Sequence, residues 1–106
     1  MSTYKVLGQQ APAATTNTDL YTAPAPAVVS TLCVCNTGSS DATFNIAVRP
    51  AGATLANKHY CVYGAAIGAS QTLALTLGIG VAATDVVTVY TSAATVSFSA
   101  FGVENP

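Results

Sequence analysis

The sequence predicts an all-β protein: a single antiparallel β-sandwich, jelly-roll or Ig-like, of about eight short strands with an extended N-terminal arm. Three observations predict it. Apolar and polar residues alternate with a period of two in several segments, the mark of strands with one buried face. Val, Thr, Ile, Tyr and Phe recur while runs of strong helix formers are missing, a composition suited to pleated, half-buried surfaces. Gly, Pro, Asn, Asp and Ser interrupt the chain at short intervals, as turns require.

Taken in order, strands are expected near residues 3–7, 19–23, 27–36, 42–49, 58–63, 71–79, 85–91 and 95–103. Residues 1–18 read as the arm, including a first short strand, and residues 19–106 as the sandwich. The stretch "GQQAPAATTNTDLYTAPAPA" holds three of the five prolines, and proline fixes φ and lacks a backbone donor, so this stretch should be extended. It is either a linker between two strands or an arm that drapes over a neighbouring subunit. "TFNIAV" sends Phe44, Ile46 and Val48 to one face, and "QTLALTLGI" does the same with Leu73, Leu75, Leu77 and Ile79. "TVSFSAF" places Val96 and Phe98 together. The turns fall at "NTGSSD", "GAS", "GVAATD" and "SAA". Short strands at this spacing point to a sandwich or barrel. The expected core is Leu32, Val34, Phe44, Ile46, Val48, Leu73, Leu75, Leu77, Val87, Val89, Val96 and Phe98.

The 106 residues suit one domain. Charged residues make up 7%, against a usual share of roughly 25%. A surface so poor in charge has little to keep subunits apart, so coverage by neighbours is expected, with a Thr/Ser-rich solvent face as the alternative. Three cations cannot neutralise a nucleic-acid backbone, which argues against nucleic-acid binding. The longest apolar run, Leu73 to Ala83, is interrupted by Thr76, Gly78 and Gly80 and falls short of the about 20 apolar residues of a membrane helix. "MSTYKVLGQQ" has no charged start followed by an apolar segment, so synthesis in the cytosol is expected.

Two of the three cations, Arg49 and Lys58, and the one histidine, His59, share the window "IAVRPAGATLANKHY". No nucleophile motif, paired-carboxylate motif or phosphate loop accompanies His59, so no enzyme and no cofactor is expected. Cys33, Cys35, His59 and Cys61 would make a Cys₃His set only if their strands were neighbours. A flat C-x-C strand does not wrap zinc as C-x₂₋₄-C turns do, and buried or half-buried thiols are the simpler expectation. Cys33 and Cys35 sit too far apart along one strand to bridge each other comfortably.

At "YKVLGQ", "IAVRPAGATLANKHY" and "LALTLGIGVAATDVVTVY" the chain resembles a recurrent family of small virion structural proteins of tailed bacteriophages. "LYT", "CN" at a strand end and the closing "VSFSAFGVE" extend the likeness over almost the whole chain, with departures at Cys33 and Cys61. The resemblance implies a non-enzymatic β-sandwich module located in the virion and synthesised in the host cytoplasm. It implies a capsid decoration or cement protein that bridges capsomers as a homo-oligomer, with a trimer as one option, against the major capsid protein or other virion proteins. Arg49 stands before Pro50, where the strand should end and project the guanidinium from a rim. Arg49, Lys58 and His59, together with Tyr4 and Lys5 of the arm, are therefore the expected intersubunit contacts. A tail, baseplate or fibre-base component is the alternative within the particle. A carbohydrate-binding adhesin is the alternative outside that class, although the chain has no Trp and Tyr4, Tyr21, Tyr60, Tyr63 and Tyr90 form no cluster in sequence.

Overall fold

A computed structural model describes residues 3–105. Residues 1, 2 and 106, which the expected arm and sandwich include, lie outside the described residues. Nine strands form: β1 (Thr3–Gln10), β2 (Thr18–Thr22), β3 (Ala27–Asn36), β4 (Ala42–Arg49), β5 (Tyr60–Ile67), β6 (Thr72–Leu75), β7 (Ile79–Val81), β8 (Val86–Thr91) and β9 (Val96–Glu104). Two short 3₁₀ turns, Pro50–Gly52 and Asn57–His59, lie between β4 and β5.

The strands make two antiparallel sheets packed as a sandwich. The first has the order β1-β9-β3-β6, with β7 also paired to β3, and the second has the order β2-β8-β4-β5. Alternation explains the packing. In β9 every second residue from Val96 to Glu104 is buried, and in β4 Phe44 and Ile46 turn inward. Phe44 from one sheet meets Phe98 from the other edge to face, with ring centroids 6.1 Å apart. Around them lie Leu32, Val34, Val87, Val89 and Val96, all fully buried. Leu20, Tyr21, Val29 and Ile67 join this core and were not expected in it.

Two expectations need correction. Residues 71–79 are not one strand. Leu32 pairs with Leu75 and Val29 with Ile79, so β3 advances three residues while its partner advances four. The extra residue is absorbed at Gly78, whose φ of 61° is open to glycine without a Cβ clash. Leu77 is thereby turned out of the core and is 39% exposed. Val48, Leu73 and Leu75 pack against the core but are only partly buried. Within residues 1–18, where a first short strand is expected, β1 is an edge strand running along β9 from Thr3 opposite Glu104 to Gln10 opposite Phe98. Residues 11–17 then carry the chain from the edge of one sheet to the edge of the other, pinned where Thr15 N donates to Thr91 O at 2.8 Å.

Candidate functional site

The charged side chains are mostly used to tie the fold together. Arg49 leaves the end of β4, and its guanidinium is turned back over its own sheet. Nε donates to Thr88 Oγ1 at 3.0 Å, one terminal nitrogen to Ala53 O at 3.0 Å, and the other to Asp19 Oδ1 at 2.9 Å. Thr88 Oγ1 also donates to Asp19 Oδ1 at 3.2 Å. The expected outward-pointing rim arginine is thus an internal clamp on β2, β4, β8 and the loop after Pro50. Loss of a charged hydrogen bond costs about 1.5–3 kcal/mol, reduced here because Asp19 is more than half exposed. Arg49→Ala is expected to destabilise the fold by about 1–3 kcal/mol, read as a lower denaturant midpoint at unchanged m-value. Arg49→Lys should recover only part of this, because an ammonium cannot reproduce the planar fork.

Lys5 is engaged as well. Its Nζ lies 3.1 Å from Glu104 Oε1, while Tyr21 donates its hydroxyl to Glu104 Oε2 at 2.6 Å. This cluster joins β2 of one sheet to β1 and β9 of the other. The Tyr21 bond, reinforced by Lys5, holds the Glu104 carboxyl below the usual carboxylate range. Burial and the same carboxylate push the Tyr21 phenol well up. Asp85 accepts from Ala51 N and Ala82 N, each at 2.9 Å, and these bonds lower its carboxyl. The first of them holds Ala51 at a φ of 53°, in the left-handed region that a residue with a Cβ enters at a cost. Asp41 accepts from Ala69 N at 3.0 Å.

His59 is buried and accepts the Ala56 backbone N–H at Nδ1, 3.0 Å away. It closes the turn that enters β5. Of the five expected contact residues, only Tyr4 and Lys58 have exposed side chains with no hydrogen bond or ion pair among the described residues.

The thiols fall apart into two places. Cys33 and Cys35 lie on β3, and Cys61 lies on β5 of the other sheet, so the strands of the imagined four-ligand set are not neighbours. All three cysteines are free. Cys61 turns its sulfur to Ile46 O at 3.4 Å, and burial of that thiol pushes it up although the residue as a whole is exposed. Among the described residues no group of three His, Cys, Asp or Glu side chains is arranged to hold a metal ion, and no helix is long and apolar enough to cross a membrane.

Two surfaces remain unused by the fold. On the outer face of the first sheet, the pairing places Tyr4, Val103, Val28 and Gly80 in one row across β1, β9, β3 and β7, with Val6 and Phe101 beside it. Tyr4 is 83% exposed, Val6 47% and Val28 45%. A groove of about 500 Å³, lined by Pro26, Val28, Gly80 and Val103 among others, continues this apolar strip.

The second surface is a tyrosine pair on β5. Tyr60 and Tyr63 are three residues apart, which would send them to opposite faces of a regular strand. Two register shifts change that. Ala47 pairs with Tyr60, Ile46 with Val62 and Phe44 with Ala65, so β5 carries an extra residue on either side of Val62, as β-bulges do. Val62 still packs inward, and the two tyrosines come together edge to face, with centroids 4.9 Å apart. The second bulge is fixed at Gly64, whose φ is 64° and whose N–H donates to Asn45 Oδ1 at 2.7 Å. Asn57, Tyr60 and Tyr63 line a concavity of about 350 Å³. Sequence reasoning found no tyrosine cluster because it assumed unbroken alternation; the glycine directly after Tyr63 was the available signal.

Compared with family models, with curated proteins and with solved structures, the chain matches none.

Proposed function

We propose that this protein is a non-enzymatic structural subunit of a bacteriophage particle, a capsid decoration or cement protein that assembles with copies of itself. The observation that carries this reading is the apolar outer face of the first sheet. Tyr4, Val6, Val28, Phe101, Val103 and Gly80 adjoin one another through the strand register, and none of them is charged. Exposed apolar area of this kind is stabilised by burial at about 25 cal/mol per Å² before the costs of association. The carboxylates and two of the cations are committed within the chain, so they impose little repulsion between copies. Weak contacts of this kind, repeated by symmetry, reinforce a shell through avidity. The likeness to small virion proteins supplies the setting.

The test is the mass of the full chain in solution and its copy number in a particle. A symmetric oligomer is expected by light scattering, with Tyr4→Asp and Val28→Asp shifting it toward monomer while far-UV circular dichroism stays unchanged. A stable monomer at high concentration would sink the assembly reading. Hundreds of copies per particle are expected for a decoration protein, and a dozen or fewer would move it to the tail.

A further inference from the structure

We propose that the tyrosine pair on β5 is a binding site for an acidic saccharide, a carboxylated pyranose such as a hexuronate, with Tyr63 as the stacking platform, Asn57 as the hydroxyl reader and Lys58 as the carboxylate contact. The proposal goes beyond assembly and uses the opposite sheet. It begins from Tyr63, which is 73% exposed although Tyr60 supports it edge to face. An aromatic ring fixed by a neighbour, with its other surface in water, offers an electron-rich face. The C–H groups on one side of a pyranose ring carry the complementary partial charge.

The polar groups around it fit the same ligand. Asn57 lines the concavity with the two tyrosines, and its side-chain amide makes no hydrogen bond among the described residues. An amide offers two donors and an acceptor, which matches sugar hydroxyls that both give and take. A second concavity, of about 570 Å³, shares Tyr60 and is lined also by Lys58, Pro50 and Val48. Lys58 alone among the chain's charged residues has no internal partner among the described residues. The carboxylates, by contrast, are occupied by backbone N–H groups, Lys5, Tyr21 or Arg49. An uncommitted cation in the concavity that adjoins the platform's through Tyr60, with no free carboxylate to oppose it, favours a sugar that bears a negative charge.

The surroundings separate this site from a protein interface. A volume of about 350 Å³ is enough for a small ligand. Protein partners bury about 800 Å² a side around an apolar centre. The neighbours of the pair on β5, Cys61, Gly64 and Ala66, are small and exposed and supply no such centre.

The experiment is a titration of the full chain with a hexuronate oligosaccharide and with a neutral hexose oligosaccharide of equal length. Tyrosine emission serves as a readout, because the chain has five Tyr and no Trp, and calorimetry confirms it. The uronate is expected to bind, more weakly as salt rises, and more tightly than the neutral oligomer. Tyr63→Ala should weaken it by roughly tenfold, and Lys58→Ala should erase the preference for the acidic sugar. Asn57→Ala, a surface change in a short turn, keeps the test open should Tyr63→Ala disturb β5; it should weaken both sugars. Tyr4→Asp, on the other sheet, should leave binding unchanged, so failure of the assembly reading is seen separately. Absence of uronate binding, equal binding of the neutral oligomer, or indifference to both Tyr63→Ala and Asn57→Ala would overturn the site. So would a change in oligomeric state with Tyr63→Ala and no sugar binding, which would make the pair a protein contact.

Discussion

Phe44→Ala is expected to destabilise the fold by about 3–5 kcal/mol, the usual cost of truncating a buried phenylalanine. Phe44 is 1% exposed and stands against Phe98 at the junction of the two sheets. Its removal takes away the apolar area of one ring, the edge-to-face contact and the packing partner of the other ring. The cavity opens between two sheets whose backbones are held by ladders on both sides of β4, so collapse around it is limited. Against a total stability of about 5–15 kcal/mol for a domain of this size, the loss leaves a marginal fold. Chemical denaturation monitored by circular dichroism would measure it. A loss under about 1 kcal/mol would mean that the sheets can close on the gap.

Gly102→Ala is also expected to be damaging, for the opposite reason. Gly102 lies in β9 between Val29 of β3 and Lys5 of β1. A methyl group there would collide with the Val28 carbonyl oxygen and press on Leu7 Cδ1 at 3.1 Å. The side chain of Leu7 can move, but the Val28 carbonyl belongs to a paired strand. Relief requires β3 and β9 to part. Overpacking typically costs about 1–3 kcal/mol, and backbone against backbone in the middle of a sheet belongs at or above the upper end. Loss of soluble expression, or a thermal midpoint lowered by ten degrees or more (roughly, at 4–8 °C per kcal/mol for a domain near this size), is the expected readout. A variant as stable as the parent would show that the sheet twists to make room.

The sandwich was legible wherever one local rule governed. Phe44, Ile46, Val87, Val89, Val96 and Phe98 alternate without interruption, and each is buried. Legibility failed where a single extra residue entered a ladder. Leu77 continues the alternation of Leu73 and Leu75 in the sequence, yet it lies beyond the last paired residue of β6 and turns outward. Tyr60 and Tyr63 break the alternation in the sequence and are brought together by the bulges of β5. Arg49 failed for another reason. Its neighbour Pro50 marks a strand end, but nothing near it in sequence announces Asp19, thirty residues earlier. Long-range pairing of charges follows from topology, and topology was not readable from spacing.

The position of β9 has a consequence in time. It is the last of the described strands to leave the ribosome, and it lies between β1 and β3 in the first sheet. Until it emerges, β1 has no ladder to join, and the inner face of β3 has no Phe98 to close against Phe44. β3 can pair with β6 and β7 as the chain lengthens, but β1 has to wait for β9. The first sheet is completed only when β9 inserts between β1 and β3, which demands closure of loops of widely separated sequence and makes folding slow for a chain of this length. During that interval the apolar residues of β3, β4 and β8 are uncovered, the condition in which nascent β-proteins are most exposed to aggregation. The rate of that insertion, and not the stability of the finished sandwich alone, then bears on how much chain reaches the folded state.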